Sequence, residues 1–222
     1  MARYAIIGLG TFGSNVARSL FDKKHEVIAI DVHEDLVQRA RDFVNQAVTA
    51  DATDRETLEA LGLQDVDYAV ISVGEKIDAS ILITLHLTEM GVRNIVVKAV
   101  NETHGKILTK IGATEIVFPE KQMAMRVADR IGHKQVLDQI QLSDHISILE
   151  IRVPPGMAGV ALRDSKLRPR YHLNVVAVKQ SIPDSAEHDV ILPRPDYVLG
   201  GDDILMVIGR DEHIEEFKAL DR

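Results

Sequence analysis

The chain has 222 residues, 45% apolar and 27% charged, with a formal net charge of −8 and no cysteine. That length holds one large domain or two small ones, and an acidic surface excludes a general binder of nucleic acid or anionic membrane. Aromatic residues, at 4%, are too few for platforms that stack single strands, and the lack of cysteine excludes disulfides, thiolate zinc sites and thiol nucleophiles. The N-terminus reads as neither a signal peptide nor a spanning helix, so a cytoplasmic protein is expected.

Residues 4–7 form a short apolar run that reads as a buried strand, broken by Gly8-Leu9-Gly10-Thr11-Phe12-Gly13. An amphipathic segment follows, with Val16, Ala17 and Leu20 on one face, and then an apolar run, 27–30, ending in Asp31. Strand, G-x-G-x-x-G turn, helix, strand and acid in that order are the parts of a dinucleotide-binding unit. Gly8 allows the tight turn, Gly10 lets backbone N–H groups approach a pyrophosphate, and Gly13 lets helix and strand pack closely. The helix start, at Thr11 and Phe12, presents unpaired N–H groups and a positive dipole end to phosphate. Asp31, with Val32 beside it, accepts from ribose hydroxyls.

Helix and strand patterns then alternate: helix over 34–44, strand over 47–50, helix over 54–61 and strand over 68–73. Helix over 77–90, strand over 95–98, helix over 103–111 and strand over 116–118 complete the series. Gly62, Gly91 and Gly112 fall where helices need left-handed ends. Thr53-Asp54-Arg55-Glu56 has capping-box spacing, with the Thr53 hydroxyl as cap and Glu56 reaching back. Six short strands joined by helices predict an α/β, Rossmann-like, doubly wound parallel sheet over residues 1–118. Ligands of such sheets lie beyond the carboxyl ends of the strands. Asp51-Ala52-Thr53, Ser72-Val73-Gly74 and Lys98 therefore join the candidate site. Asp51 suits an exocyclic amine, Gly74 a close backbone approach and Lys98 a phosphate. For Thr53 a capping role stands beside the ligand role, and for Lys98 a solvated strand end.

Over 79–87 large aliphatics occupy more than one face. Such a helix packs against the sheet and a second subunit, or lies deep in the core. His86 within it reads as a packed interface residue. Pro119 opens a helix at its favoured first position. The stripe Met123, Val127, Ala128 and Ile131 leads through Gly132-His133 to a predicted second helix over 135–140. Residues 119–140 thus read as a helix–turn–helix pairing arm. Glu120 either complements the helix dipole or helps hold a cation, divalent or Na+, beside the phosphates, particularly across a symmetric dimer.

One proline precedes residue 143 and six follow it. Residues 146–153 alternate as a strand, with a helical stretch predicted over 158–162 and then a loop. Strands over 175–179, 190–192 and 204–208 and a helix over 213–220 complete an α+β lobe spanning 141–222, with Pro193 and Pro195 marking an edge or irregular strand. The 163–171 run concentrates base in an acidic chain. Arg168 and Arg170 could donate to a phosphorylated second messenger, the alternative being a solvated loop. No histidine pair has metal-ligand spacing and no nucleophile motif stands out, so no catalytic residue is assigned. An NAD(P)-dependent oxidoreductase shares the fold and stands as the alternative.

Four runs, Ala5-Ile6-Ile7-Gly8-Leu9-Gly10-Thr11-Phe12-Gly13, Ala50-Asp51-Ala52-Thr53, Val97-Lys98-Ala99 and Phe118-Pro119-Glu120-Lys121, resemble the regulator-of-potassium-conductance (RCK) subunits of the KtrA/TrkA potassium-uptake family. The 163–179 run resembles that family's C-terminal lobe. The resemblance implies a nucleotide-sensing regulatory subunit rather than an enzyme, held at the inner face of the membrane by a KtrB/TrkH-type channel subunit. It implies a homodimer that assembles into an octameric ring. Implied ligands are ATP, ADP or NAD(H), held by Gly8, Gly10, Gly13, Asp31, Asp51, Thr53 and Lys98. A cation at Glu120 and cyclic di-AMP in the C-terminal lobe are implied as well. In ATP-sensing relatives the position of Thr11 is often an arginine that pairs with the terminal phosphate. A hydroxyl stands there here, which favours NAD(H), AMP or ADP over ATP.

Overall fold

Short apolar runs rich in β-branched residues become the strands of a first unit, Met1–Glu120, in the computed structural model, which describes residues 1–132, 135–182 and 188–219. They are β1 (Arg3–Ile7), β2 (Glu26–Asp31), β3 (Gln46–Thr49), β4 (Tyr68–Ile71), β5 (Ile95–Lys98) and β6 (Glu115–Val117). All pair in parallel, in the order β3-β2-β1-β4-β5-β6. The crossovers carry α1 (Thr11–Asp22), α2 (Glu34–Ala40), α3 (Arg55–Ala60), α4 (Ile77–Glu89) and α5 (Glu102–Lys110). Ile7, Ile28, Ile71, Ile83 and Leu87 belong to one buried cluster, and Ile6, Leu9, Ala17, Val27 and Val37 to another. Neighbours along β1 divide between the two, as a parallel sheet covered on both faces requires. Each fully buried Ile, Leu or Val among them contributes about 1.5–3 kcal/mol. The strand order reverses between β1 and β4, and beyond the carboxyl ends at such a point is where doubly wound sheets place their ligand crevice.

Local details depart from the sequence reading in two places. The helix predicted over 34–44 ends at Ala40 and tightens into a 3₁₀ turn, Arg41–Phe43, which buries Phe43 under the guanidinium of Arg18. Asp54, not Thr53, caps α3: its carboxylate accepts the Glu56 N–H at 3.2 Å and the Thr57 hydroxyl at 2.7 Å. Thr53 has turned to Asp51 instead. Gly62, Gly91 and Gly112 do take positive φ at their helix ends. On α4, Ser80, Ile83, Thr84 and Leu87 are buried, while Ile77, Leu82 and Leu85 stay exposed.

The second unit, Lys121–Arg222, takes up α6 (Pro119–Gly132), none of whose side chains is buried. The helix predicted over 135–140 is a strand, β7 (Val136–Ser143). It pairs antiparallel with β8 (Ile146–Arg152) across a tight turn at Asp144 and His145. Val136, Ile140 and Leu142 fit a period of two as well as a helical one, and the hairpin partner decides. The turn expected at Gly132-His133 lies partly outside the described residues. Residues 158–161 are not helical; 3₁₀ turns at Pro155–Met157 and Leu162–Asp164 flank them, and Ala161 bridges to Val198. The expected loop beyond holds α7 (Leu167–Tyr171). β9 (Asn174–Ser181), β10 (His188–Ile191) and β11 (Ile204–Arg210) complete an antiparallel sheet ordered β10-β9-β11-β8-β7, with β10 at an edge as Pro193 and Pro195 suggested. The last helix, α8 (Asp211–Lys218), begins two residues before the predicted start, and residue 220 lies outside the described residues. Leu149, Ile151, Leu167, Tyr171, Leu205, Ile214 and Phe217 form this unit's core, with the Tyr171 and Phe217 rings edge to face at 5.2 Å.

Candidate nucleotide site

β1 delivers the glycine turn to the crevice. Gly8 has φ +92°, and a Cβ there would overlap the Ser72 carbonyl at the end of β4. A Cβ on Gly13 would overlap the Gly8 carbonyl, so α1 sits directly on the turn. These two glycines serve packing within the chain. Gly10 differs: its backbone is extended, at φ −62° and ψ −175°, and a Cβ there would meet no protein atom within 4 Å. The space beside it is open.

Gly10 is also the N-cap of α1, which has neither a side-chain cap nor an acid in its first turn. The other helices of this unit are provided for. α3 and α5 are capped by Asp54 and Asn101, and α2 and α4 carry acids in their first turns. The α1 N-terminus therefore keeps its dipole and N–H groups available to an anion. Thr11 is exposed and Phe12 half-buried at that end.

Asp31, only 9% exposed, closes the other side. Its Oδ2 accepts the Leu9 N–H at 2.6 Å, and its Oδ1 accepts the His33 N–H and meets His33 Nδ1, both at 2.9 Å. Burial alone would raise this carboxyl, but the hydrogen bonds from Leu9 and His33 outweigh it and hold the group below its ordinary value. Asp31 is thus an ionised brace that fixes the glycine turn as well as an acceptor. Sequence reasoning missed His33, whose only signal is the short Asp-x-His spacing at a strand end.

Asp51 accepts from the Thr53 hydroxyl at 2.7 Å and its N–H at 2.9 Å, and these bonds lower its pKa. Ala52 between them is buried, whereas Val32 beyond Asp31 is 46% exposed. Ser72 is buried, and Gly74, with φ +70°, has open space where a Cβ would lie. Lys98, at the end of β5, pairs with Glu120 in the first turn of α6, and that hydrogen bond lowers the Glu120 pKa. The predicted contacts on β1 through β5 therefore all lie at the carboxyl edge of one sheet. A nucleotide fits them: open backbone and a free helix end for phosphate, carboxylates for ribose and base. A resident cation does not fit Glu120 within a single chain. Its carboxylate is engaged by Lys98, and among the described residues no group of three or more His, Cys, Asp or Glu could hold a metal.

Arg168 and Arg170 lie apart from these residues in sequence, exposed on α7 of the second unit, with the Arg170 guanidinium over the Tyr171 ring at 5.1 Å. The run read as a loop is thus a short helix that presents both bases to solvent.

Sheet order, glycine turn and strand-end acid define a Rossmann-type protein joined to a small antiparallel lobe, an architecture many functions share. A family model described as the TrkA-N domain matches residues 4–119, and one described as the TrkA-C domain matches residues 148–221. The chain belongs to this family of TrkA-type potassium-uptake proteins. It is 40% identical over 215 residues to Ktr system potassium uptake protein C of Bacillus subtilis (strain 168), covering 97% of this chain and 95% of that one. It is 35% identical over 221 residues to Ktr system potassium uptake protein A of Vibrio alginolyticus, covering 98% and 97%. Among solved structures, the GsuK channel superposes with a TM-score of 0.70 over 99% of this chain and 39% of its own, at 18% identity, a likeness of fold alone. A structure of the GsuK channel bound to NAD superposes with a TM-score of 0.54 at 25% identity, over 99% and 38%. Among the described residues, no helix is long and apolar enough to cross a membrane.

Proposed function

We propose that this chain is a cytoplasmic regulatory subunit of a potassium-uptake system, binding an adenine nucleotide at the carboxyl edge of its first sheet and gating a membrane channel subunit accordingly. The observation that carries the reading is α1, alone among the helices of the first unit in lacking both cap and acid, beside an open Gly10 and an ionised Asp31. The names of its relatives and the NAD-bound GsuK channel support the same reading. The N–H groups at Thr11, Phe12 and Gly13 take the phosphates, Asp31 the ribose, and Asp51 with Thr53 the base. Val32, Ala52, Ser72, Val73 and Gly74 form the surrounding wall. Lys98 exchanges Glu120 for phosphate oxygen. A cation at Glu120 would need ligands from a second copy. Arg168 and Arg170 offer exposed guanidinium groups to a phosphodiester such as cyclic di-AMP.

Asp31 also sets a preference. An ionised carboxylate at the ribose repels a 2′-phosphate, so NAD(H) and ADP bind better than NADP(H). Calorimetric titration of ATP, ADP, AMP, NAD+, NADH and NADPH tests this, repeated on Asp31→Ala. The best ligand is expected to lose roughly tenfold or more in affinity, the equivalent of about 1.4 kcal/mol. Equal binding by the variant would displace Asp31 from the ribose. Turnover of alcohols or hydroxy acids with NAD(P)+ at enzyme-like rates would replace the regulator with an oxidoreductase.

A further inference from the structure

We propose that His172 and His213 form a two-imidazole site for a divalent transition-metal cation of the zinc type, tying α7 to α8 in the second unit. The two rings lie 4.8 Å apart between centroids, tilted by 40°. Imidazoles whose nitrogens each sit about 2 Å from one tetrahedral cation place their centroids roughly 5 Å apart and out of parallel. They come from helices separated by about forty residues of sequence, so no local spacing motif announces them.

Three further observations bear on the pair. His172 ends α7 in the left-handed region, at φ 54° and ψ 26°. That position favours glycine or asparagine, and a Cβ there costs on the order of 1 kcal/mol. A side chain kept at such a cost points to a use for the side chain. Both rings are also carried on anchored backbone. Tyr171 and Leu173 flank His172, Ile214 follows His213, and all three are at most 5% exposed. The imidazoles are therefore presented by packed neighbours rather than by a free loop, which lowers the ordering cost of binding. Finally, Glu212 Oε1 lies 3.9 Å from His213 Nε2 and 3.7 Å from the Arg210 guanidinium, so a carboxylate stands beside the site with a cation shared on the same oxygen.

His172 is exposed and the His213 side chain 26% exposed, so an ion and its waters can enter. Among the described residues no third His, Cys, Asp or Glu completes a closed ligand set. Two nitrogens with the remaining positions left to water make a reversible site, unlike the four-ligand closed sites that hold a fold together. Its occupant would stiffen α7, which carries Arg168 and Arg170. The proposal does not depend on the nucleotide reading, since it concerns the other unit.

The test is calorimetric titration of ZnCl2 into the full chain, free of nucleotide, in a buffer that does not chelate. Long-range ¹H–¹⁵N spectra of the imidazoles accompany it. His172→Gly removes one ligand while relieving the left-handed backbone, so loss of fold cannot explain its result. His213→Gln removes the other, and His145→Gln serves as the control. Expected are a zinc equivalent that perturbs the His172 and His213 nitrogens first, a fall of roughly tenfold or more in its affinity in either variant, and no change in the control. Zinc should raise the melting temperature of the wild type more than that of either variant. The proposal is overturned if wild type and both variants bind the same zinc equally tightly, or if zinc leaves these two imidazoles undisturbed.

Discussion

Gly10 and Gly13 belong to one motif, yet the structure gives them opposite duties. Gly13→Ala drives a Cβ into the Gly8 carbonyl, so α1 must shift away from the turn. Overpacking of this kind typically costs about 1–3 kcal/mol, and chemical denaturation should show a lower midpoint. Gly10→Ala adds a Cβ in open space at a φ that alanine accepts, and the helix loses only the modest preference of its cap position. Its denaturation midpoint should move little while nucleotide affinity falls, because the methyl group stands where the phosphates approach. If Gly10→Ala binds as wild type, the ligand does not lie against this turn. Three glycines and an acid were legible in the sequence because each answers a local backbone or strand-end requirement. Their division between packing at Gly13 and open approach at Gly10 was legible as well, but the group that crowds Gly8 was not, since Ser72 is sixty-four positions away and reaches it only through the parallel pairing of β1 with β4.

Elements were legible where one period dominates and ambiguous where two fit. Strands β1 to β6 stand close to their expected places, but 135–140 satisfied a helical and a strand pattern alike, and only the pairing with β8 resolves it. Thr53 and Asp54 are both favoured caps. The carboxylate prevails because the Thr57 hydroxyl and the Glu56 N–H both reach it. α7 is too short for periodicity and has a proline within it. One buried group ties elements together and should report on pH. His104 on α5 is 2% exposed. The Ser80 hydroxyl of α4 donates to the Ile77 carbonyl, so it accepts from His104 Nε2 at 2.8 Å, and His104 Nδ1 accepts the Val100 N–H at 3.3 Å. These partners suit the neutral ring, and burial holds its pKa below the ordinary value. The unfolded chain therefore takes up the proton more readily. The stability from this group is fully present above the unfolded value near 6.5, and is lost as pH falls from there through the lower folded value. Urea midpoints measured between pH 7.5 and 5 should decline for wild type and decline less for His104→Gln, which cannot titrate. Parallel declines would assign the acid sensitivity to other groups.

At the scale of the whole molecule, the apolar surface left over by folding is unevenly placed. Met123, Met125 and Ile131 on α6 are 54%, 56% and 76% exposed, and none of that helix's side chains, which the sequence reading assigned to a pairing arm, is buried. Met123 and Ile131 share one face of the helix, exposed aliphatic and thioether groups of this kind mark contact surfaces, and burying each contributes about 1.5–3 kcal/mol. Pairing also matters to the proposed function, because a nucleotide shifts an assembly only by the difference between its affinities for two arrangements, typically 1–3 kcal/mol, or about 5–150-fold. The double variant Met123→Asp with Ile131→Asp separates these roles. Both side chains are largely in solvent within the chain, so circular dichroism and the melting of the first unit should match wild type. Light scattering after size exclusion should instead show a mass reduced by half or more, since two carboxylates would have to be buried without partners for the surfaces to meet. The double variant should still bind nucleotide, because Gly10, Asp31 and Asp51 are untouched. In co-reconstituted vesicles, potassium flux through the channel subunit should no longer respond to that nucleotide. An unchanged mass would place the pairing surface elsewhere, with the exposed aliphatics of α4, Leu82 and Leu85, the next to charge.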